Sequence, residues 1–187
     1  MSDILKRWFG GKRSMRPLPT DDPDPDPPIS DTKSPRLPDV WDIRFVSLAD
    51  HISGWSKDPS TKVGCVIVGP DREIVSTGYN GFPRGVSDSR SRYDDRDTKL
   101  NLICHAEENA VAHAARIGVS LRGTTAYITW PPCPRCARSL VQAGVSRVVH
   151  RDIDIPERWV DQMEWSFRLL EEAGVEVTPV PTTRGDG

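Results

Sequence analysis

The sequence predicts an α/β fold, a three-layer α/β/α sandwich around a mixed five-stranded sheet spanning residues 39–180. Three observations carry this expectation. Apolar residues recur at helical spacing in several segments, separated by short β-rich runs. The first two such runs flank Gly69-Pro70-Asp71, the pattern of an antiparallel hairpin. From residue 104 onward, helix and strand patterns alternate, which implies parallel pairing and right-handed crossovers.

Each element has its own signal. Asp39 is a suitable N-cap, and Trp41, Phe45, Leu48, Ile52 and Trp55 form one helical face ending near Lys57-Asp58-Pro59. His51 lies beside that stripe and reads as a surface or packing residue. Residues 61–68 and 73–79 are the hairpin strands. Residues 82–103 form a long polar connection rich in Arg, Asp and Ser, and a loop of that length in a small domain tends to carry function. The alanines and Val111 of residues 104–117 suit a closely packed helix stopped by Gly118. Residues 124–129 are β-rich and deliver the Pro-Cys pair. A helix over 133–143 ends at Gly144, and a strand covers 146–150. Pro156 opens a helix lined by Val160, Met163, Phe167 and Leu170, and Gly174 ends it. Residues 175–178 make the last strand.

At 187 residues the chain can build one domain with a proper core. Residues 1–38 read as a disordered extension. A basic start (Lys6, Arg7, Lys12, Arg13, Arg16) leads into Asp21-Asp22-Pro23-Asp24-Pro25-Asp26-Pro27-Pro28, which repels itself and lacks ladder donors at Pro. Residues 181–187 read as a disordered tail. A net charge of −2 is no footprint of a dedicated nucleic-acid binder. Four Cys, no apolar run of membrane-spanning length and no signal-peptide core lead to the expectation of a soluble protein in a reducing, cytoplasmic compartment.

The chemistry concentrates in His105-Ala106-Glu107 and Pro132-Cys133-Pro134-Arg135-Cys136. A catalytic zinc takes three protein ligands and keeps one position for water. His105, Cys133 and Cys136 supply three, and two Cys three residues apart share a helix face. If both segments open helices, the positive ends favour thiolates. Glu107 is then spare, placed to take a proton from water and give it to a leaving nitrogen. A structural zinc knot would need a fourth ligand. Cys104 and Cys65 are the candidates, but Cys104 adjoins His105 and Cys65 lies in a buried-strand pattern. H-x-E…P-C-x-x-C is the signature of zinc nucleobase deaminases.

With these motifs in place, residues 40–178 resemble the cytidine-deaminase-like superfamily, and within it the deoxycytidylate (dCMP) deaminases. The resemblance rests on Ser56-Lys57-Asp58-Pro59-Ser60-Thr61-Lys62-Val63-Gly64 and on Gly78-Tyr79-Asn80-Gly81-Phe82-Pro83-Arg84-Gly85. It rests also on Cys104-His105-Ala106-Glu107 and on Pro132-Cys133-Pro134-Arg135-Cys136-Ala137, with Gln142-Ala143-Gly144 following. It implies hydrolysis of dCMP to dUMP and ammonia, which feeds thymidylate synthesis. One zinc ion is implied at His105, Cys133 and Cys136, with Glu107 as proton shuttle. Asn80 matches the family's sugar-contacting Asn; Tyr79, Ala106 and Trp130 complete the expected base and sugar contacts. Ser56, Lys57 and Lys62 are candidates for the phosphate, in competition with Arg84, Arg90, Arg92 and Arg96. The resemblance further implies a hexameric homo-oligomer, dCTP and dTTP as regulators, and Mg2+ accompanying a regulatory nucleotide.

Thr129-Trp130-Pro131-Pro132-Cys133 departs from the nucleotide branch. It looks like the Trp-x-Pro-Cys segment of polynucleotide cytosine deaminases, and it leaves the substituent at C5 of the base open. Two other readings stay open beside dCMP deamination. A single-stranded polynucleotide cytosine deaminase is favoured by Trp130 and the basic start, and opposed by the near-neutral charge. A non-catalytic nucleotide-binding zinc scaffold is opposed by Glu107. The long insertion before His105 argues against a tRNA adenosine deaminase.

Overall fold

The computed structural model describes residues 37–181. The expected basic start and Pro/Asp-rich segment within residues 1–36, and the tail 182–187, lie outside the described residues. The described chain runs α1 (Val40–Ser53), β1 (Gly64–Val68), β2 (Ile74–Tyr79), α2 (Arg90–Asp94), α3 (Arg96–Leu102) and α4 (Ala106–Ile117). It continues through β3 (Thr125–Ile128), α5 (Pro134–Gln142), β4 (Arg147–Arg151), α6 (Glu157–Glu172) and β5 (Glu176–Val180).

The sheet order is β2-β1-β3-β4-β5. β1 is antiparallel to both of its neighbours, whereas β3, β4 and β5 are parallel. The sheet is therefore mixed because it begins with a hairpin and continues through helical crossovers. Side chains alternate across it. Val66, Val68, Tyr127, Val149 and Val180 meet Phe45, Val46, Ala49 and Ile52 of α1 on one face. Cys65, Ile67, Ala126, Ile128, Val148 and Val177 meet α4, α5 and α6 on the other, through Ala106, Ala110, Leu140, Met163, Phe167 and Leu170. Among the described residues the result is the three-layer sandwich, with one helix on one face and three on the other.

Two glycines let helix backbone rest on strand backbone. A Cβ at Gly64 would run into the Ala49 carbonyl and the Ser53 amide of α1. One at Gly78 would run into the Ala106 carbonyl and the Ala110 amide of α4. Ala106, Ala110 and Ala114 recur every four residues, so α4 offers the sheet a face of small side chains.

Some boundaries differ from the expectation. Asp39 caps α1, its carboxylate accepting from the Trp41 and Asp42 amides. The helix stops at Gly54, before Lys57, and Trp55 lies beyond it, 54% exposed with its ring edge-on to Tyr79. Residues 61–63 are loop rather than strand, because the Asn80 side chain takes their backbone groups. The long connection holds two short helices, α2 and α3; Asp95 caps the second. Beneath α1, Asp42 forms a bidentate pair with Arg147 of β4 at 2.7 and 2.9 Å. Arg147 also donates to Glu176 Oε1 (2.9 Å) and Thr178 Oγ1 (3.1 Å), and Tyr127 donates to Asp42 (3.1 Å).

Candidate active site

The site forms where α4 and α5 begin. Residues Gly81 and Cys104 exchange backbone hydrogen bonds (3.1 and 2.9 Å), which ties the segment entering α4 to the end of the hairpin. His105 is the N-cap of α4 and Cys133 the N-cap of α5, with Pro134 in the first turn. The buried Pro131 and Pro132 stiffen the approach to Cys133, and Ser166 of α6 donates to the Pro132 carbonyl at 2.5 Å.

Three candidate ligands converge from these starts. His105 Nδ1 lies 3.5 Å from Cys133 Sγ and 3.4 Å from Cys136 Sγ, and the ligand atoms of all three residues fall within 4.8 Å of one another. Two sulfurs and one imidazole nitrogen at such separations suit a tetrahedral cation of zinc's preferences, with a fourth position left over. Cys104 and Cys65 stand outside the cluster. Cys65 is fully buried in β1 and its thiol is raised well above its ordinary value, by burial first and then by the Glu107 charge.

Electrostatics fit the same purpose. Cys133 is drawn down to about 3, chiefly by the hydrogen bond from the Cys136 thiol; burial opposes this, and His105 adds a second bond. The donating Cys136 thiol is pushed up by that same bond and by burial. His105 is raised by its bond to Cys133, with burial opposing. Glu107 follows in the first turn of α4 and is 3% exposed. Burial lifts its carboxyl to about 7, against its own backbone amide and the His105 charge. A cation held by His105, Cys133 and Cys136 would oppose this rise. A buried carboxyl balanced between burial and a nearby positive charge can both accept and return a proton near neutral pH.

A salt bridge joins the two ligand helices. Glu108 Oε2 accepts from the His105 amide (2.9 Å) and from Arg135 Nη2 (2.8 Å), and Arg135 lies between the two Cys ligands. The sequence reading missed this pair. Its signal was present: opposite charges stand three residues after His105 and two after Cys133.

The expected substrate contacts are placed unevenly. Ala106 is fully buried, with its carbonyl against Gly78. Tyr79 is exposed at the end of β2, and its carbonyl accepts from Asn109 Nδ2 at 2.7 Å. Trp130 is half-buried, three residues before Cys133. Asn80 is buried; Nδ2 donates to Asp58 Oδ2 (3.2 Å) and the Thr61 carbonyl (2.9 Å), while Oδ1 accepts from the Val63 amide (2.8 Å). Both amide hydrogens are thus used within the protein, which leaves a lone pair of Oδ1 for a hydroxyl.

Ser56 needs correction as a phosphate candidate. It is 2% exposed, and its hydroxyl donates to the Asn80 carbonyl (2.8 Å) and accepts from the Asp58 amide (3.2 Å). Such a hydroxyl has no reach to an outside anion. Lys57 is exposed but paired with Asp88 at 3.1 Å, and the exposed Lys62 lies 3.5 Å from the Gly54 carbonyl. Within the insertion, Arg90 pairs with Asp94 and Arg92 donates to the Ser87 carbonyl, whereas Arg84 and Arg96 are exposed.

Comparisons with known proteins agree with this geometry. The cytidine and deoxycytidylate deaminase zinc-binding region matches residues 39–151. An uncharacterized deaminase in the luxG 3′ region of Aliivibrio fischeri is 43% identical over 143 residues, covering 75% of this chain and 94% of that protein. A probable deoxycytidylate deaminase of Drosophila melanogaster is 35% identical over 148 residues, covering 73% of this chain and 70% of that one. The dCMP deaminase of cyanophage S-TIM5, solved in complex with dCMP and dUMP, superposes with a TM-score of 0.65 at 27% identity. That match spans 78% of this chain and all of the phage chain (100%). On the matched region and its His-Cys-Cys cluster, the chain belongs to the cytidine and deoxycytidylate deaminase family.

Proposed function

We propose that this protein hydrolyses the exocyclic amine of dCMP, giving dUMP and ammonia. One observation carries the reading: His105 Nδ1 and two cysteine sulfurs meet at two helix starts, with the buried Glu107 beside them. The similarity to deoxycytidylate deaminases, and to a phage dCMP deaminase bound to dCMP and dUMP, supports the nucleotide as substrate.

Zinc, when held by His105, Cys133 and Cys136, supplies the Lewis acidity that makes a water molecule a usable nucleophile near neutral pH. The chain's residues do the rest. A carboxylate oxygen of Glu107 accepts a proton from the attacking water and passes it to N3 of the pyrimidine, then carries the remaining hydroxyl proton to the N4 amine as the C4–N4 bond breaks. The water oxygen ends as the C4 carbonyl, and the departing nitrogen leaves as ammonia. Trp130 walls the base, and Asn80 meets the sugar through Oδ1. The phosphate falls to Lys62, Arg84 and Arg96, which are exposed and bound to no carboxylate among the described residues, since Ser56 is buried, Lys57 and Arg90 are ion-paired within the chain, and Arg92 is half-buried on the Ser87 carbonyl.

Finer parts of the reading rest on the family resemblance: a cytoplasmic homo-oligomer, hexameric in form, regulated by dCTP and dTTP with Mg2+ on the regulatory nucleotide. No helix among the described residues is long and apolar enough to cross a membrane.

Ammonia release by zinc-loaded protein tests the assignment. The substrates are dCMP, 5-methyl-dCMP, dCTP, deoxycytidine and a cytosine-containing single strand. Turnover of dCMP with little turnover of deoxycytidine is expected. Turnover of the single strand alone overturns the reading and points to Trp130 as part of a polynucleotide channel.

A further inference from the structure

Asp58 sits in the loop between α1 and β1 and is 1% exposed. Its Oδ1 accepts from the Ser60 amide (2.9 Å), the Ser60 hydroxyl (2.9 Å) and the Thr61 amide (3.2 Å). The cation set against it comes from another part of the chain. Lys99 Nζ of α3 lies 2.8 Å from each carboxylate oxygen and 2.7 Å from Ser60 Oγ, and its side chain is only 18% exposed. The 82–103 insertion is thereby fastened to the 56–63 loop by a nearly buried ion pair.

What this pair holds is Asn80. Its Nδ2 donates to Asp58 Oδ2 and to the Thr61 carbonyl, and its Oδ1 accepts from the Val63 amide. Three bonds fix the plane of the amide, and all three partners lie in the loop that Asp58 organises. Asn80 in turn precedes Gly81, which is bonded to Cys104, the neighbour of His105. A buried carboxylate that loses its counter-ion drives local rearrangement, because the charge cannot stay both buried and unpaired.

We propose that Lys99 is a positioning residue for the sugar-facing wall of the pocket: by neutralising Asp58 from the insertion, it sets the orientation of Asn80. The inference rests on the nucleotide-deaminase reading for its kinetic consequence, though not for its structural one. The insertion then acts as part of the substrate site. Its order and the geometry of Asn80 are coupled through one ammonium group.

The test compares Lys99→Met and Lys99→Arg with the wild type, using steady-state kinetics on dCMP, bound zinc, and hydrogen exchange at the Val63 amide. In Lys99→Met, Val63 exchange speeds up about tenfold while that of Val66 in the core strand is unchanged. KM rises about tenfold, the scale of a lost charge-assisted hydrogen bond, with kcat within about twofold and zinc retained. Lys99→Arg restores KM and Val63 protection. Wild-type KM and Val63 exchange in a folded Lys99→Met protein overturn the proposal, as does parallel loss of kcat and zinc. Should Lys99→Met not fold, the double variant Asp58→Asn with Lys99→Met removes both charges. It regains stability, but its amide faces that of Asn80, so KM stays raised; a wild-type KM there refutes the proposal. If the wild type does not release ammonia from dCMP, the functional reading falls, and Val63 exchange alone still decides the role of Lys99.

Discussion

Replacing Arg147 by Met should be among the most damaging single changes outside the active site. Arg147 is 5% exposed and serves two carboxylates at once: Asp42, 1% exposed, and Glu176, 10% exposed. Met fills similar volume and removes the charge, leaving Asp42 without its cation under α1 and taking the guanidinium from Glu176. Removing one partner of a buried ion pair costs roughly 3–5 kcal/mol. At about 2–4 °C per kcal/mol for a chain of this size, Tm falls by about 6–20 °C. Asp42→Asn is milder, roughly 1–3 kcal/mol, because Arg147 keeps Glu176. The pH dependence makes the argument sharper. Burial raises the Asp42 carboxyl, but the Arg147 and Asp39 hydrogen bonds lower it by more, so it sits below the ordinary carboxylate range. A depressed carboxylate stabilises fully above its unfolded pKa of about 3.9, and that stability is lost as pH falls through the folded value. In Arg147→Met the Asp39 and Tyr127 hydrogen bonds remain but the guanidinium is gone, so burial weighs more, the carboxyl rises relative to the wild type, and the variant loses less than the wild type in acid. Urea melts of both proteins at pH 7 and pH 4.5, at one fixed zinc concentration, should show the gap narrowing in acid. A gap under about 1 kcal/mol at pH 7, or one independent of pH, refutes the buried-charge account.

Other outcomes test the site itself. Glu107→Gln should keep its zinc and lose about 10²–10⁴ in kcat, measured as ammonia release against metal content; retained turnover would exclude Glu107 as the proton shuttle. Arg135→Ala, which leaves Glu108 with only its bond from the His105 amide, should weaken zinc binding about 10–100-fold in a competitive chelator titration. Its Tm in saturating zinc should barely move, because the pair is 45% and 24% exposed. Zinc affinity itself should fall as pH drops from about 8 to 6, since the metal must displace protons from the Cys136 thiol and the His105 imidazole, both raised in the metal-free cluster. Chelation should abolish turnover and lower Tm, and added zinc should restore both.

The cluster of His105, Cys133 and Cys136 with the buried Glu107 beside it was legible because the spacing is local: each segment is a few residues long and both open helices. The alternation of helices and strands was legible for a similar reason, since burial imposes its own period on each element. Charges meeting across the fold were not. Asp42 reads as an ordinary first-turn acid, and its burial depends on Arg147, which is 105 residues away. Asp58 reads as a helix stop, although Asp followed by Ser and Thr is a known pattern for side chain-to-backbone turns. The helices α2 and α3 are short and polar, so no apolar stripe announces them. Ser56 has the right chemistry for a phosphate, and only its burial shows that its hydroxyl is already engaged.

The glycine seats at Gly64 and Gly78 have a consequence for how the protein tolerates change. Where side chains separate helix from strand, the gap between them varies with whatever occupies it. At Gly78 main chain meets main chain, so the height of α4 above the sheet is set by atoms common to every sequence. His105 and Glu107 are carried on the first turn of that helix. Drift among the larger core residues, or their loosening on warming, therefore reaches the pocket only weakly, like wear in a machine whose cutting head is referenced to the bed rather than to its replaceable parts.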